Sequence, residues 1–251
     1  MKEKRLMNRR KAIFTGLTSA GALLLSGCLK KAPPTYGNIL RMGDDLTYMV
    51  QRGILSQRAL AMEYQRSDIT SFPVTDIGNP ADPTSKKAYN KEYQELQRDN
   101  FKDWALIVEG SVAKPGKYSM DALKKLSQRT QITRHTCEEG WSAIAEWTGV
   151  PLAAVLKDAG ILHSARFVSF YGFDSYAESI DMLDALHPQT ILAHTMNGED
   201  LPARNGAPLR LRVETQIGYK NVKYLQRIVV TDKFADPGPD ISSGWSWYTG
   251  I

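Results

Sequence analysis

Cysteine is nearly absent: the 251 residues contain only Cys28 and Cys137, which excludes a fold held by several disulfides. After residue 28 there is no apolar run long enough to span a bilayer, no internal repeat and no low-complexity tract. The chain also carries no motif for haem or an iron–sulfur cluster. An excess of basic charge is missing too. Of 32 Lys and Arg and 27 Asp and Glu, six bases and one acid fall in residues 1–27, leaving 26 of each sign beyond them. A balanced chain of this kind lacks the electrostatic footprint of a nucleic-acid binder. Its 42% hydrophobic and 24% charged content is that of an ordinary globular fold.

What the N-terminus does contain is an export signal. Lys2, Lys4, Arg5, Arg9, Arg10 and Lys11 precede an apolar, Gly/Ala-rich stretch from Ala12 to Leu25. That stretch is short for a membrane span and has the layout of a signal peptide. Arg9-Arg10 reads as a twin-arginine export motif, with Asn8 where Ser or Thr is usual. Leu25-Ser26-Gly27-Cys28 resembles a lipoprotein cleavage box, in which Cys28 is acylated and becomes the new N-terminus. The expected division is a signal peptide at 1–27, a tether and N-terminal segment at 28–55, and one domain at 56–251. If Cys28 is consumed by lipid, Cys137 has no disulfide partner, and an unpaired thiol in an exported protein points to a chemical role.

Local patterns set out the elements. A helix is expected at 56–66, with Ser56 as N-cap. Pro73, Gly78, Pro80 and Pro83 mark residues 72–100 as a long surface excursion. Strands are expected at 104–109, 132–136, 166–171, 191–195, 209–213 and 223–231. Ser119 caps a short helix through Leu126, and Pro151 to Ala159 forms another that Gly160 ends. Further short helices are expected just after Cys137 and at 179–186. Met196-Asn197-Gly198 is a hairpin turn. In Leu209–Val213 alternation puts Arg210 and Arg212 on one face. Mixed elements without a βαβ rhythm give an α+β class, with mixed β-sheets, short helices and a single domain.

Two blocks carry a resemblance. Thr133-Arg134-His135-Thr136-Cys137-Glu138-Glu139-Gly140-Trp141-Ser142 with Trp147-Thr148-Gly149-Val150-Pro151-Leu152 resembles the molybdenum-cysteine region of the sulfite oxidase fold. Met196 to Pro202, Asn205 to Arg210 and Gly218 to Lys223 resemble the segment that wraps the molybdopterin in that fold. The likeness runs from about Phe72 to the C-terminus, and it is strongest to exported bacterial molybdopterin-dependent oxidoreductases. The methionine sulfoxide reductase catalytic subunit is a related branch of these.

The resemblance implies that Cys137 ligates molybdenum, that Asn205 and Arg210 contact the cofactor, and that Lys220, Asn221 and Lys223 grip its phosphate end. A soft thiolate suits molybdenum, and a phosphate calls for Arg and Lys donors. It also implies a small substrate of sulfite, sulfoxide or N-oxide type, and a membrane b-type cytochrome as electron partner. The expected location is the periplasmic face of the inner membrane. Gly172 departs from the family pattern, because several relatives have Thr there. The Asn and Tyr-Glu cofactor contacts of the sulfoxide reductase branch have no clear match in residues 72–77. No counterpart of the haem-binding or immunoglobulin-like domains of eukaryotic sulfite oxidases is expected.

Two other readings compete. One is a cysteine hydrolase pairing Cys137 with a histidine; His135, two residues away on a strand, shares its face. The other is a non-catalytic ligand-binding lipoprotein on the same fold. His194 and His163 read as structural, and His187-Pro188 as a turn.

Overall fold

The computed structural model describes residues 42–56, 59–74, 78–234 and 245–251. The segment read as an export signal, Cys28 and the first part of the expected tether lie outside the described residues. Five helices occur among those described: α1 (Met42–Ile54), α2 (Lys91–Arg98), α3 (Met120–Lys125), α4 (Leu152–Ala159) and α5 (Met182–Ala185). The strands are β1 (Ala105–Gly110), β2 (Gly116–Ser119), β3 (Arg129–Thr136), β4 (Ser142–Pro151), β5 (Phe167–Gly172), β6 (Ala177–Asp181), β7 (Ile191–Met196), β8 (Glu199–Asp200), β9 (Arg210–Arg212) and β10 (Leu225–Thr231). None of the described helices is long and apolar enough to cross a membrane.

The strands form two mixed or antiparallel sheets. The first has the order β2-β1-β10-β5-β6, with β1 and β10 parallel. The second runs β3-β4-β7-β8, and β9 also pairs with β7. Alternation along β1 buries Leu106 and Val108, as a strand with one face on a core must. Leu106, Val168, Phe170 and Ile228 of the first sheet meet Val150, Leu192 and Leu211 of the second, and α4 adds Leu152, Val155 and Leu156. Each such side chain contributes about 1.5–3 kcal/mol by leaving water. The opposite face of the second sheet carries a smaller cluster of Ala145, Trp147, Ile191, Ala193 and Met196, covered by Phe72. The functional site is built on that face.

Local chemistry sets many element ends. The Ser119 hydroxyl accepts from Ala122 N at 3.2 Å to start α3. Pro151 precedes α4, and Gly160 ends it with φ 69°. Asn197 and Gly198 both have positive φ, 54° and 84°, as a two-residue hairpin between β7 and β8 requires.

Five expectations are corrected in whole or in part. Residues 59–65 are extended rather than helical: Tyr64 N donates to Ile132 O at 2.8 Å and Glu63 bridges to Thr133. Pairing with the edge strand β3 outweighs the helix propensity of Ala59, Leu60 and Met62. The helix expected after Cys137 is a turn leading into β4, and of that expected at 179–186 the first three residues are strand β6 while Met182–Ala185 is helix α5. The excursion at 72–100 contains α2, anchored by buried Tyr93, whose hydroxyl donates to Ala207 O at 2.8 Å. The segment read as a tether and N-terminal piece contains α1, packed against the C-terminal residues 246–250.

Candidate active site

Cys137 leaves the end of β3 in a tight turn. Its N–H donates to Trp141 O at 2.9 Å, and Gly140 N–H returns to Cys137 O at 3.2 Å, with Gly140 at φ 89°. The thiol is 4% exposed, is not in a disulfide, and lies 3.5 Å from Glu138 Oε2. Gly218 backs this turn. A Cβ there would lie 3.0 Å from Cys137 Cα and 3.1 Å from Thr136 O, so only glycine lets the two segments approach.

Cys137 opens on a cavity of about 230 Å³, whose walls bring together segments far apart in sequence. Asn205, Arg210, Asn221 and Lys223, all expected at the site, line it with Cys137. Lys220 does not: its Nζ is fully buried, donating to Glu178 Oε2 at 2.5 Å and Ser179 O at 3.2 Å. The 3-10 turn over Gly218–Lys220 directs it away from the cavity into a closed ion pair. The side chain of Asn221 is spent on backbone: Oδ1 accepts from Val213 N at 2.8 Å, and Nδ2 donates to Ile217 O and Gly218 O. It therefore shapes the 213–221 loop that forms one wall.

Arg210 is the electrostatic centre. It is 3% exposed and donates to Asn205 O at 2.9 Å and Asn221 O at 3.5 Å, while its Nε is buried without a hydrogen-bond partner. Among the described residues no carboxylate forms an ion pair with it. Burial first, then the neighbouring Arg212 charge, pushes its pKa down to about 9. It remains a cation at neutral pH, short of an anion.

The sequence reading missed part of the site. His135, set beside Cys137 in the sequence only as a hydrolase partner and not as a cofactor-site residue, lines the cavity, and its Nδ1 lies 2.6 Å from Arg212 NH1. A guanidinium only donates, so Nδ1 accepts. Burial first, then the charges of Arg212, Arg210 and Lys223, holds the imidazole neutral. Arg212 is in turn paired to buried Glu214 at 2.7 Å, which also accepts from Gln131 Nε2 at 3.0 Å. One signal was available: Gln131, Thr133, His135 and Cys137 share parity, so a strand puts them on one face. Phe72 and Trp141 form the apolar mouth, with ring centroids 5.7 Å apart, and Phe72 lies 5.3 Å from His135. A larger residue at 172 would crowd the backbone, because a Cβ would lie 2.6 Å from Lys223 O.

A buried thiol at one wall and a buried cation lacking an anion at another fit a metal cofactor with an anionic tail. The chain belongs to the molybdopterin-binding oxidoreductases: residues 93–237 match the oxidoreductase molybdopterin binding domain. It is thus an oxidoreductase with a molybdopterin cofactor, and its mixed sheets with short helices are of the sulfite oxidase type. It is 36% identical to a putative protein-methionine-sulfoxide reductase subunit of Azospira oryzae, over 96% of this chain and 87% of that protein. A protein-methionine-sulfoxide reductase catalytic subunit of Xanthomonas axonopodis is also 36% identical, over 90% of this chain and 71% of that one. The sulfane dehydrogenase SoxCD of Paracoccus pantotrophus superimposes with a TM-score of 0.50 at 26% identity, covering 53% of this chain and 39% of that one. The family match favours an oxidoreductase over a cysteine hydrolase.

Proposed function

We propose that the protein is the catalytic subunit of an exported, membrane-tethered sulfoxide reductase, with Cys137 as the protein ligand to molybdenum. The observation that carries this is the shared cavity of the Cys137 thiol and the Arg210 guanidinium. Molybdenum supplies the oxygen-atom transfer when bound; the chain binds, orients and excludes water. Arg210 and Lys223 would hold the anionic end of the cofactor, Asn205 holds Arg210 through its carbonyl, and Asn221 fixes the wall. Lys220 supports that wall from behind through Glu178.

Glu138, 3.5 Å from the thiol, and Glu139, which also lines the cavity, oppose a doubly charged substrate such as sulfite. The aromatic mouth of Phe72 and Trp141 suits a neutral sulfoxide with an apolar substituent, and two relatives named as protein-methionine-sulfoxide reductase subunits match 96% and 90% of this chain. The net reaction takes a sulfoxide, two electrons and two protons to a thioether and water. The electrons come from a separate partner, for which a membrane b-type cytochrome on the periplasmic side is the proposed source. Acylation at Cys28 keeps the enzyme beside it.

The test is metal analysis of the natively exported chain, followed by turnover with methionine sulfoxide and with sulfite, using artificial electron carriers. About one molybdenum per chain and sulfoxide-dependent oxidation of a reduced viologen are expected, on the single-site reading. Oxidation of sulfite alone overturns the substrate assignment. A chain free of molybdenum, though matured in cells that make the cofactor, favours the ligand-binding lipoprotein instead.

A further inference from the structure

Helix α1 has its polarity inside out. A surface helix normally turns its apolar stripe to the core and its charges to water. Here Met42, Leu46, Val50 and Ile54, one turn apart, are 48%, 50%, 46% and 76% exposed. Gly43, Thr47 and Gly53 complete the outward face, which therefore carries no charge.

The charges point inward and clamp the helix. Ser246 Oγ donates to Asp44 Oδ1 at 2.6 Å. Arg52 donates to Asp181 at 3.0 Å and Asp184 at 2.7 Å. Gln51 Nε2 donates to Gly250 O at 3.1 Å. Tyr48 lies against Trp247 and Tyr248, at centroid distances of 4.9 and 5.0 Å. With these contacts in place the helix cannot roll to hide its apolar row, and such a row on a fixed helix marks a docking face.

What covers it follows from the chain that precedes it. Met42 lies fourteen residues after Cys28, a length of chain that can reach at most about 50 Å. On the reading that Cys28 is acylated, α1 is therefore held close to the bilayer. An uncharged apolar helix face is what the headgroup–acyl boundary accepts. We propose that the Met42–Leu46–Val50–Ile54 face of α1 lies on the lipid surface as a second contact beside the Cys28 anchor. This would set the orientation of the enzyme. Ser246 also accepts from the Tyr219 hydroxyl at 2.5 Å, so the cavity wall at Tyr219 is fixed relative to that surface.

The inference rests on the export and acylation reading, and the experiment separates the two. The full chain, exported natively, is purified with a nitroxide at Val50→Cys and, as reference, at Lys114→Cys. The unsubstituted chain serves as blank for Cys137, and palmitate incorporation reads the anchor. In protein-free phosphatidylethanolamine–phosphatidylglycerol vesicles, the label at 50 should be shielded from a water-soluble nickel chelate about fivefold or more relative to 114. Equal accessibility of the two labels in those vesicles overturns the proposal. Shielding seen only in native membranes assigns the face to a membrane protein, and shielding that grows with protein concentration without lipid assigns it to a second copy; both overturn it. A chain without palmitate sinks the anchor alone. Shielding at 50 on adding vesicles to that soluble chain still supports α1 on lipid, and its absence does not.

Discussion

The buried basic residues between Arg210 and Lys220 fall into two groups, balanced in different ways. Arg212 and Lys220 each sit fully buried against a carboxylate, Glu214 at 2.7 Å and Glu178 at 2.5 Å. Arg210 is buried as deeply, but its hydrogen bonds go to carbonyls and its guanidinium lies 5.0 Å from the Trp147 ring centroid; among the described residues no carboxylate forms an ion pair with it, and its Nε is unsatisfied. Taking an ion out of water costs several kcal/mol unless it is paired. The first group is neutralised within the protein and shapes the walls. The second retains an uncompensated charge on the cavity, where the anionic part of a cofactor recovers the cost. The difference separates residues that support the site from the one that awaits a ligand, although the sequence assigned Arg210 and Lys220 alike to the cofactor.

Four substitutions test that division. Cys137→Ser removes the thiolate and should abolish turnover. Its loss of molybdenum, measured per chain by mass spectrometry, should exceed the roughly 10–100-fold typical of supporting residues. Full activity in that variant would falsify the ligand assignment. Glu214→Ala leaves Arg212 buried without its carboxylate and should destabilise the cofactor-free chain by about 3–5 kcal/mol in urea unfolding. A change below about 1 kcal/mol, the range of surface pairs, would show that the pair is solvated and the comparison empty.

Arg210→Met should do the reverse. Removing an unpaired buried cation leaves the cofactor-free chain as stable or more so, while cofactor retention falls about 10–100-fold. If unfolding instead shows a loss like that of Glu214→Ala, Arg210 belongs with the structural group. Gly218→Ala has the smallest expected effect, about 1–3 kcal/mol from crowding the Cys137 turn. It should cost cofactor retention as well as stability. Wild-type behaviour on both measures contradicts the close approach of the two segments.

How much of this was legible depends on the range of the forces involved. The cap at Ser119, the Pro151–Gly160 limits of α4 and the Asn197-Gly198 hairpin are decided by neighbouring residues, and all are present in the fold. The expected helix at 56–66 failed because a strand edge 70 residues away competes for the same backbone groups. At the site, parity placed His135 with Cys137 and Arg210 with Arg212, yet it could not say which base would find a carboxylate. Lys220 was read as a cofactor contact because its partner, Glu178, is 42 residues distant. The outward apolar row of α1 was overlooked for a related reason. Its four-residue spacing resembles that of any buried stripe, and only the packed C-terminal segment shows which side is covered.

The sequence by itself determined the chemical inventory: one thiol beyond residue 28, a basic segment following an Asn-Gly turn, and the order of blocks that marks the family. Local turns and caps were determined with it, since their hydrogen bonds span only a few residues. Tertiary structure alone decided which basic side chain is left without a carboxylate, which histidine meets the cavity, and which face of α1 looks outward. Those outcomes depend on charge pairs and packed rings contributed by distant segments, and neither spacing nor composition specifies where such segments meet.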